Sequence, residues 1–179
     1  MRIPPRGPGP ASTVICNHIG WLDILSLICS PVHPGFTPKE DLATVPLLST
    51  IIRCLQSLFV YRGTNKDERD TIVDQISERQ RKIEDELEPY NRICLFAEAT
   101  TTNGKALLPF KRGAFSSMRA VIPCFVTFSD RMVAPTYDII DFWALIAFQF
   151  SSLVGYHIKL HIMPEFRPTQ WMLENHKHY

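Results

Sequence analysis

At 179 residues, with 45% hydrophobic and 21% charged residues, the chain has the composition of an ordinary globular protein and length enough for one domain with a substantial core. Its formal net charge of +1 creates no global field that would draw it to nucleic acid. The charge is unevenly placed: Thr64 to Pro89 holds nine acidic and five basic residues, which leaves an excess of +5 elsewhere, compatible with anionic ligands there.

The five cysteines (Cys16, Cys29, Cys54, Cys94 and Cys124) lie in apolar runs and form no Cys-x-x-Cys. They read as small buried hydrophobes of a reducing compartment rather than as disulfides or metal ligands. The start of the chain lacks the charged-then-apolar pattern of a signal peptide, and the prolines that interrupt Arg2 and Arg6 speak against an amphipathic transit helix.

In chain order, residues 1–11 are an extended Pro/Gly-rich lead-in, expected to lie against its own domain or a partner. Ser12 to Cys16 is a β-branched apolar run that predicts a buried strand. Asn17 is a candidate helix N-cap, Gly20 loosens the turn, and Trp21 to Ile28 predicts a helix. His18 thus sits where a strand hands over to a helix, with Asp23 about one turn further on. On one continuous helix a five-residue offset is roughly 140° around the axis and the two would point apart. With His18 on the incoming turn, the carboxylate reaches the imidazole. Two readings stay open for this pair: a satisfied loop histidine beside an acid favoured by the helix dipole, or a base whose tautomer the carboxylate fixes.

Pro31 to Pro34 predicts a turn, Gly35 to Asp41 a short strand, and Val45 to Leu55 a helix with Pro46 near its start. Ser57 to Tyr61 predicts a second strand, ending at Arg62. Asp67 to Glu88 predicts a long helix with Ile72, Ile76, Ile83 and Leu87 on one stripe, charges on the solvated face and Pro89 as the stop. Arg92 to Phe96 predicts a strand followed at once by Glu98. A short helix around Ser116 to Arg119 and the strand Val121 to Phe128 follow. The alternation implies an α/β fold: a single domain over residues 12–167 with a mixed, mostly parallel sheet flanked by helices, and a tail at 168–179. In such sheets ligands bind beyond the carboxyl ends of the strands, and His18, Arg62 and Glu98 each follow a predicted strand.

Phe142 to Val154 is apolar but holds Gln149 and falls short of the ~20 residues that span a bilayer. It predicts a core helix or one whose aromatic face meets a membrane surface. His157 to Ile162 alternates polar and apolar residues, a strand with a wet face. His157 and His161 have no matching ligand cluster, and no metal is expected. His176 to His178 reads as tail.

Four features stand in order: Asn17-His18 with Asp23, Phe59-Val-Tyr-Arg62, Phe96-Ala-Glu-Ala-Thr100, and Val121-Ile-Pro123. This order resembles the PlsC-type glycerolipid acyltransferases, which acylate lysophospholipids and glycerol phosphates. They carry His-x4-Asp, a strand ending in Arg, a Phe-Pro-Glu-Gly-Thr block and a proline-containing apolar strand. Lys39 to Leu48 and Phe110 to Phe115 look like the family's connecting segments, and Phe142-Trp143 with Ile158 to Pro164 look most like the lysophosphatidylcholine acyltransferase branch.

The resemblance implies that His18 is the general base, oriented by Asp23, for attack of a glycerol hydroxyl on an acyl-CoA thioester. It implies that Arg62 holds the acceptor phosphate, that Glu98 and Thr100 line the acceptor site, and that Lys111 or Arg112 adds charge for phosphates. Acyl-CoA is a co-substrate, no further cofactor is implied, and the partners are acyl-CoA, a lysophospholipid and a membrane surface, with no nucleic acid. The implied location is a membrane of a reducing compartment, the endoplasmic reticulum ahead of the mitochondrion.

Two departures bear on activity. Ala97 and Ala99 replace the family's Pro and Gly, and an alanine at a positive-φ position would narrow the acceptor pocket or rebuild the loop. His18 also lies near the start of the chain, without the N-terminal helices by which many relatives enter a membrane. The alternative is therefore a catalytically weak subunit of the same fold, held in a larger membrane complex. A hydrolase built on Ser12 or Ser26 is disfavoured, since neither serine sits in a Gly-x-Ser-x-Gly turn.

Overall fold

The apolar run at the start of the domain forms β1 (Thr13–Cys16), buried along its whole length, in a computed structural model that describes residues 9–60, 66–86, 88–129, 141–151 and 157–175. β1 lies between β2 (Ile93–Phe96) and β3 (Val121–Ser129), parallel to both. β4 (His157–Ile162) pairs antiparallel with β3, so the sheet order is β2-β1-β3-β4. A strand covered on both faces has no polar alternation, which is why Thr-Val-Ile-Cys reads as a continuous apolar run. The expected single α/β domain with a mixed, mostly parallel sheet is what forms.

The two faces of the sheet build two cores. Val14, Cys16 and Cys94 pack with Leu27 of α1 (Trp21–Ile28) on one side. Ile15, Ile93 and Leu95 pack with Ile76 and Ile83 of α3 (Lys66–Glu84) on the other. Three elements complete the order: α2 (Leu48–Cys54), α4 (Phe142–Ser151) and α5 (Gln170–Asn175). α4 buries Leu145 and leaves Phe150 exposed, and Trp21 Nε1 donates to Gln149 Oε1 at 2.7 Å. Among the described residues no helix is long and apolar enough to cross a membrane.

Several local expectations are corrected. Asn17 does not cap α1, whose N-cap is Gly20. The Asn17 side chain instead accepts from Val126 N–H at 2.8 Å and donates to Val126 C=O at 3.1 Å, replacing a peptide in the β1–β3 ladder. Gly35 to Asp41 is not a strand. Gly35 and Lys39 make isolated bridges to Ile93 and Val60, and Glu40–Thr44 forms a 3-10 helix. Pro38, with no N–H to give, limits the Ser57 to Val60 pairing to a bridge as well. Residues beyond Val60, including Tyr61 and Arg62, lie outside the described residues.

The expected helix from Val45 begins at Leu48, because Leu47 takes φ 62°, outside the helical region. α3 ends at Glu84 rather than Glu88, with Glu86 at φ 51° reversing the chain before Pro89. Of its stripe, Ile76 and Ile83 are buried and Leu87 lies outside the described residues. No helix forms at Ser116 to Arg119; a 3-10 turn at Arg112–Ala114 precedes it, and Met118 takes φ 50°. Cys29 and Cys54 are exposed, since they fall at the C-terminal ends of α1 and α2, while Cys16, Cys94 and Cys124 are buried and free.

The polar face of α3 is also not wholly solvated. Gln80 and Glu84 are buried. Glu84 accepts from Ser12 Oγ and Ala120 N–H, both at 3.0 Å, and from Arg119 at 3.1 Å. Gln80 donates to Thr13 Oγ1 at 2.7 Å and accepts from Ser117 Oγ at 2.6 Å. This network pins α3 to the start of β1. Gly9 lies against it: a Cβ there would stand 2.1 Å from the Glu84 carbonyl oxygen, and Arg167 donates to Gly9 C=O at 2.7 Å. The described end of the lead-in therefore packs on its own domain, and residues 1–8 lie outside the described residues.

Candidate active site

Strand register builds the site. Cys16 and Phe96 are paired partners at the carboxyl ends of β1 and β2. His18 and Glu98 each lie two residues further on, so they emerge side by side, and His18 N–H donates to Glu98 Oε1 at 3.2 Å.

Gly20 has extended backbone and α1 starts at Trp21, so His18 is on the incoming turn and Asp23 occupies the third helical position. Asp23 Oδ2 accepts from His18 Nδ1 and Gly20 N–H, both at 3.0 Å, and from Ile19 N–H. A carboxylate only accepts, so Nδ1 carries the proton and Nε2 is the basic nitrogen. Asp23 is fully buried, with its Oδ1 unpartnered among the described residues, while the His18 side chain is 18% exposed and lines a groove of about 590 Å³. The buried charge is carried by these N–H donors and by the N-terminal end of α1. The His18 ring stacks on Phe96 at 3.9 Å between centroids, and Phe96 in turn faces Phe36 at 6.2 Å.

The segment after β2 forms the opposite wall. Glu98 is 2% exposed and its second oxygen accepts from Leu108 N–H at 2.9 Å. Ala99 takes φ 58°, a left-handed conformation that glycine adopts without strain and an alanine Cβ resists. Thr102 N–H donates to His18 C=O at 2.8 Å, and its hydroxyl donates to the same oxygen at 3.3 Å. Lys111 N–H donates to Ala97 C=O at 2.8 Å, which closes the loop back onto the strand end. Thr100 and Lys111 line the groove mouth, while Ile24, Phe36, Ile76 and Leu95 make its interior apolar.

On the far side of β1 from α3, burial pushes the thiols of Cys16 and Cys94 far up, and that of Cys124 up to about 11. These groups are packing, not nucleophiles at neutral pH.

The structure thus joins His18, Asp23 and Glu98 by hydrogen bonds and sets Thr100 and Lys111 on the same groove. Arg62 lies outside the described residues. Phe96, which stands in the quoted motif without a role of its own, joins the site through its ring, and Thr102 and the Leu108 amide are parts of it that the residue pattern did not single out. Phe96 was legible as the last residue of its strand, but Thr102 is fixed by a contact spanning 84 positions and has no local signal.

Comparison with known proteins agrees with this geometry. A family model described as Acyltransferase matches residues 6–137. Lysophospholipid acyltransferase LPEAT1 of Arabidopsis thaliana is 30% identical over 98% of the chain and 42% of its own length. A lysophosphatidylcholine acyltransferase of Drosophila melanogaster is 31% identical over 66% of the chain and 21% of its own length. The crystal structure of the 1-acyl-sn-glycerophosphate acyltransferase PlsC from Thermotoga maritima superposes with a TM-score of 0.52, covering 97% of this chain and 63% of that one. At 15% identity that likeness speaks for the fold. The chain spans less than half the length of these curated relatives. With the matched residues running from the lead-in past β3 and the His-x4-Asp geometry in place, the chain belongs to the acyltransferase family, of the PlsC type.

Proposed function

We propose that the chain transfers a fatty acyl group from acyl-CoA to a free hydroxyl of a lysophospholipid. The observation that carries this reading is the His18 Nδ1–Asp23 Oδ2 bond of 3.0 Å, with the ring lining a largely apolar groove. Nε2 of His18 takes the hydroxyl proton as the oxygen attacks the thioester carbonyl. Collapse of the tetrahedral adduct breaks the C–S bond, and the coenzyme A thiolate leaves, taking the proton from the imidazolium. Asp23 stabilises the imidazolium while it exists.

Thr100 and Lys111 contact the acceptor at the groove mouth, and Arg62 holds its phosphate, a task suited to a guanidinium fork. Glu98 shapes that wall from behind. The reaction takes place at a membrane surface facing a reducing compartment, the endoplasmic reticulum being the first candidate. The names of the relatives support a lysophospholipid as acceptor.

The test is acyl transfer from labelled acyl-CoA to a panel of lysophospholipids, wild type beside His18→Ala. Turnover in the wild type and its loss in the variant is expected. Equal, background-level turnover in both would overturn the enzyme reading and leave a subunit of the same fold in a membrane complex.

A further inference from the structure

The His18 backbone is bonded on both sides. Its N–H donates to Glu98 Oε1 at 3.2 Å, and its C=O accepts the amide and hydroxyl of Thr102 at 2.8 and 3.3 Å. Both partners belong to one loop, four residues apart, and between them Thr100 and Thr101 line the groove. Glu98 does not line it: both carboxylate oxygens are turned onto backbone amides, those of His18 and Leu108, and the residue is 2% exposed.

A single bond to a peptide leaves it free to pivot about that bond. Bonds to the N–H and C=O of the same residue remove the pivot and fix where its side chain leaves the backbone. The Asp23 and Phe96 contacts then set the ring's tilt. A carboxylate that accepts two amide protons is also a stronger anchor than a neutral acceptor.

We propose that Glu98 and Thr102 are positioning residues, which grip the His18 peptide from both sides and hold Nε2 at the groove, and that Glu98 acts through the base rather than by contacting the acceptor. This rests on the reading of His18 as the base. Displacing a reacting group by about 1 Å costs on the order of 10²-fold in rate. Loss of the clamp should therefore appear in kcat and not in acceptor binding.

The experiment compares Glu98→Gln, Thr102→Val and Thr102→Ser in the full chain. Glutamine keeps the shape but turns an NH2 toward one of the two amides. For Glu98→Gln, kcat is expected to fall about 10- to 100-fold with acceptor KM within about twofold of wild type. A raised acceptor KM at unchanged kcat marks a substrate contact and overturns the proposal. Thr102→Val lowers kcat several-fold, and Thr102→Ser restores it. Should Glu98→Gln fail to fold, the threonine pair carries the same test.

Nitrogen NMR of the His18 imidazole gives a readout independent of turnover. The wild type is expected to show one Nδ1–H tautomer, shifted or exchange-broadened in Glu98→Gln and Thr102→Val. Unchanged spectra in both overturn the clamp. If the wild type transfers no acyl group, the functional reading fails while the spectra still decide the clamp.

Discussion

The imidazole of His18 lies over the ring of Phe96, with centroids 3.9 Å apart and planes 13° from parallel. A π face attracts a cation, so on the proposed mechanism this platform would stabilise the imidazolium that forms transiently when His18 takes the hydroxyl proton. Phe96→Leu keeps an apolar side chain of similar bulk and removes the π face. Steady-state assays should show kcat reduced about 5- to 30-fold, an effect of about 1–2 kcal/mol, with acceptor KM little changed.

Asp23 joins the proposed base to the fold. Asp23→Ala leaves the Ile19 and Gly20 amides, as well as the ring, without their acceptor in a buried site. Urea denaturation should show about 2–4 kcal/mol lost. His18→Ala should cost about 1 kcal/mol or less while, on the proposed mechanism, abolishing transfer. Equal stability losses in the two variants would contradict the buried hub seen at Asp23.

Ala99 stores backbone strain at φ 58°. Ala99→Gly removes the Cβ clash, against the larger chain entropy that glycine gives the unfolded state. The net expectation is about 0.5–1 kcal/mol of added stability, read as a raised denaturation midpoint at unchanged slope. A destabilised variant would show that the alanine side chain makes a contact worth more than the strain.

The thiols carry a pH signature. The Cys124 thiol rises from 9.0 to about 11 by burial. A folded-state pKa above the unfolded one contributes stability that is intact below pH 9 and is lost as pH rises toward 11. Stability should therefore fall between about pH 9 and 11, with a shallower slope in Cys124→Ala. At neutral pH an alkylating reagent should label the exposed Cys29 and Cys54 and leave Cys16, Cys94 and Cys124 until the protein unfolds.

Glu84 is fully buried and its partner Arg119 largely so, at the other end of β1 from His18. Arg119→Ala leaves the carboxylate without its cation and should cost about 3 kcal/mol, measured by thermal or urea unfolding. Activity per folded molecule should stay near wild type, since the pair touches nothing in the groove.

Much of this protein was legible in its residues. β1, α1, β2 and β4 lie within a residue of where periodicity puts them, because each has a strong apolar pattern bounded by turn-forming residues. The His18–Asp23 contact also followed from local spacing, since both residues sit in one strand–turn–helix unit. The weaker segments failed where proline or positive φ overrode the pattern. Pro38 reduced a strand to bridges, and Leu47 and Glu86 moved two helix ends.

What the sequence determined by itself is the α/β class, the order of motifs and the residues available for chemistry. Only the tertiary structure decided what those residues do to one another. The register Cys16↔Phe96 sets Glu98 beside His18, Asn17 serves β3 instead of capping α1, and Gln80 and Glu84 turn inward. The physical reason is that periodicity records which face of an element is buried, whereas a hydrogen bond between residues 80 positions apart depends on how two strands are laid side by side.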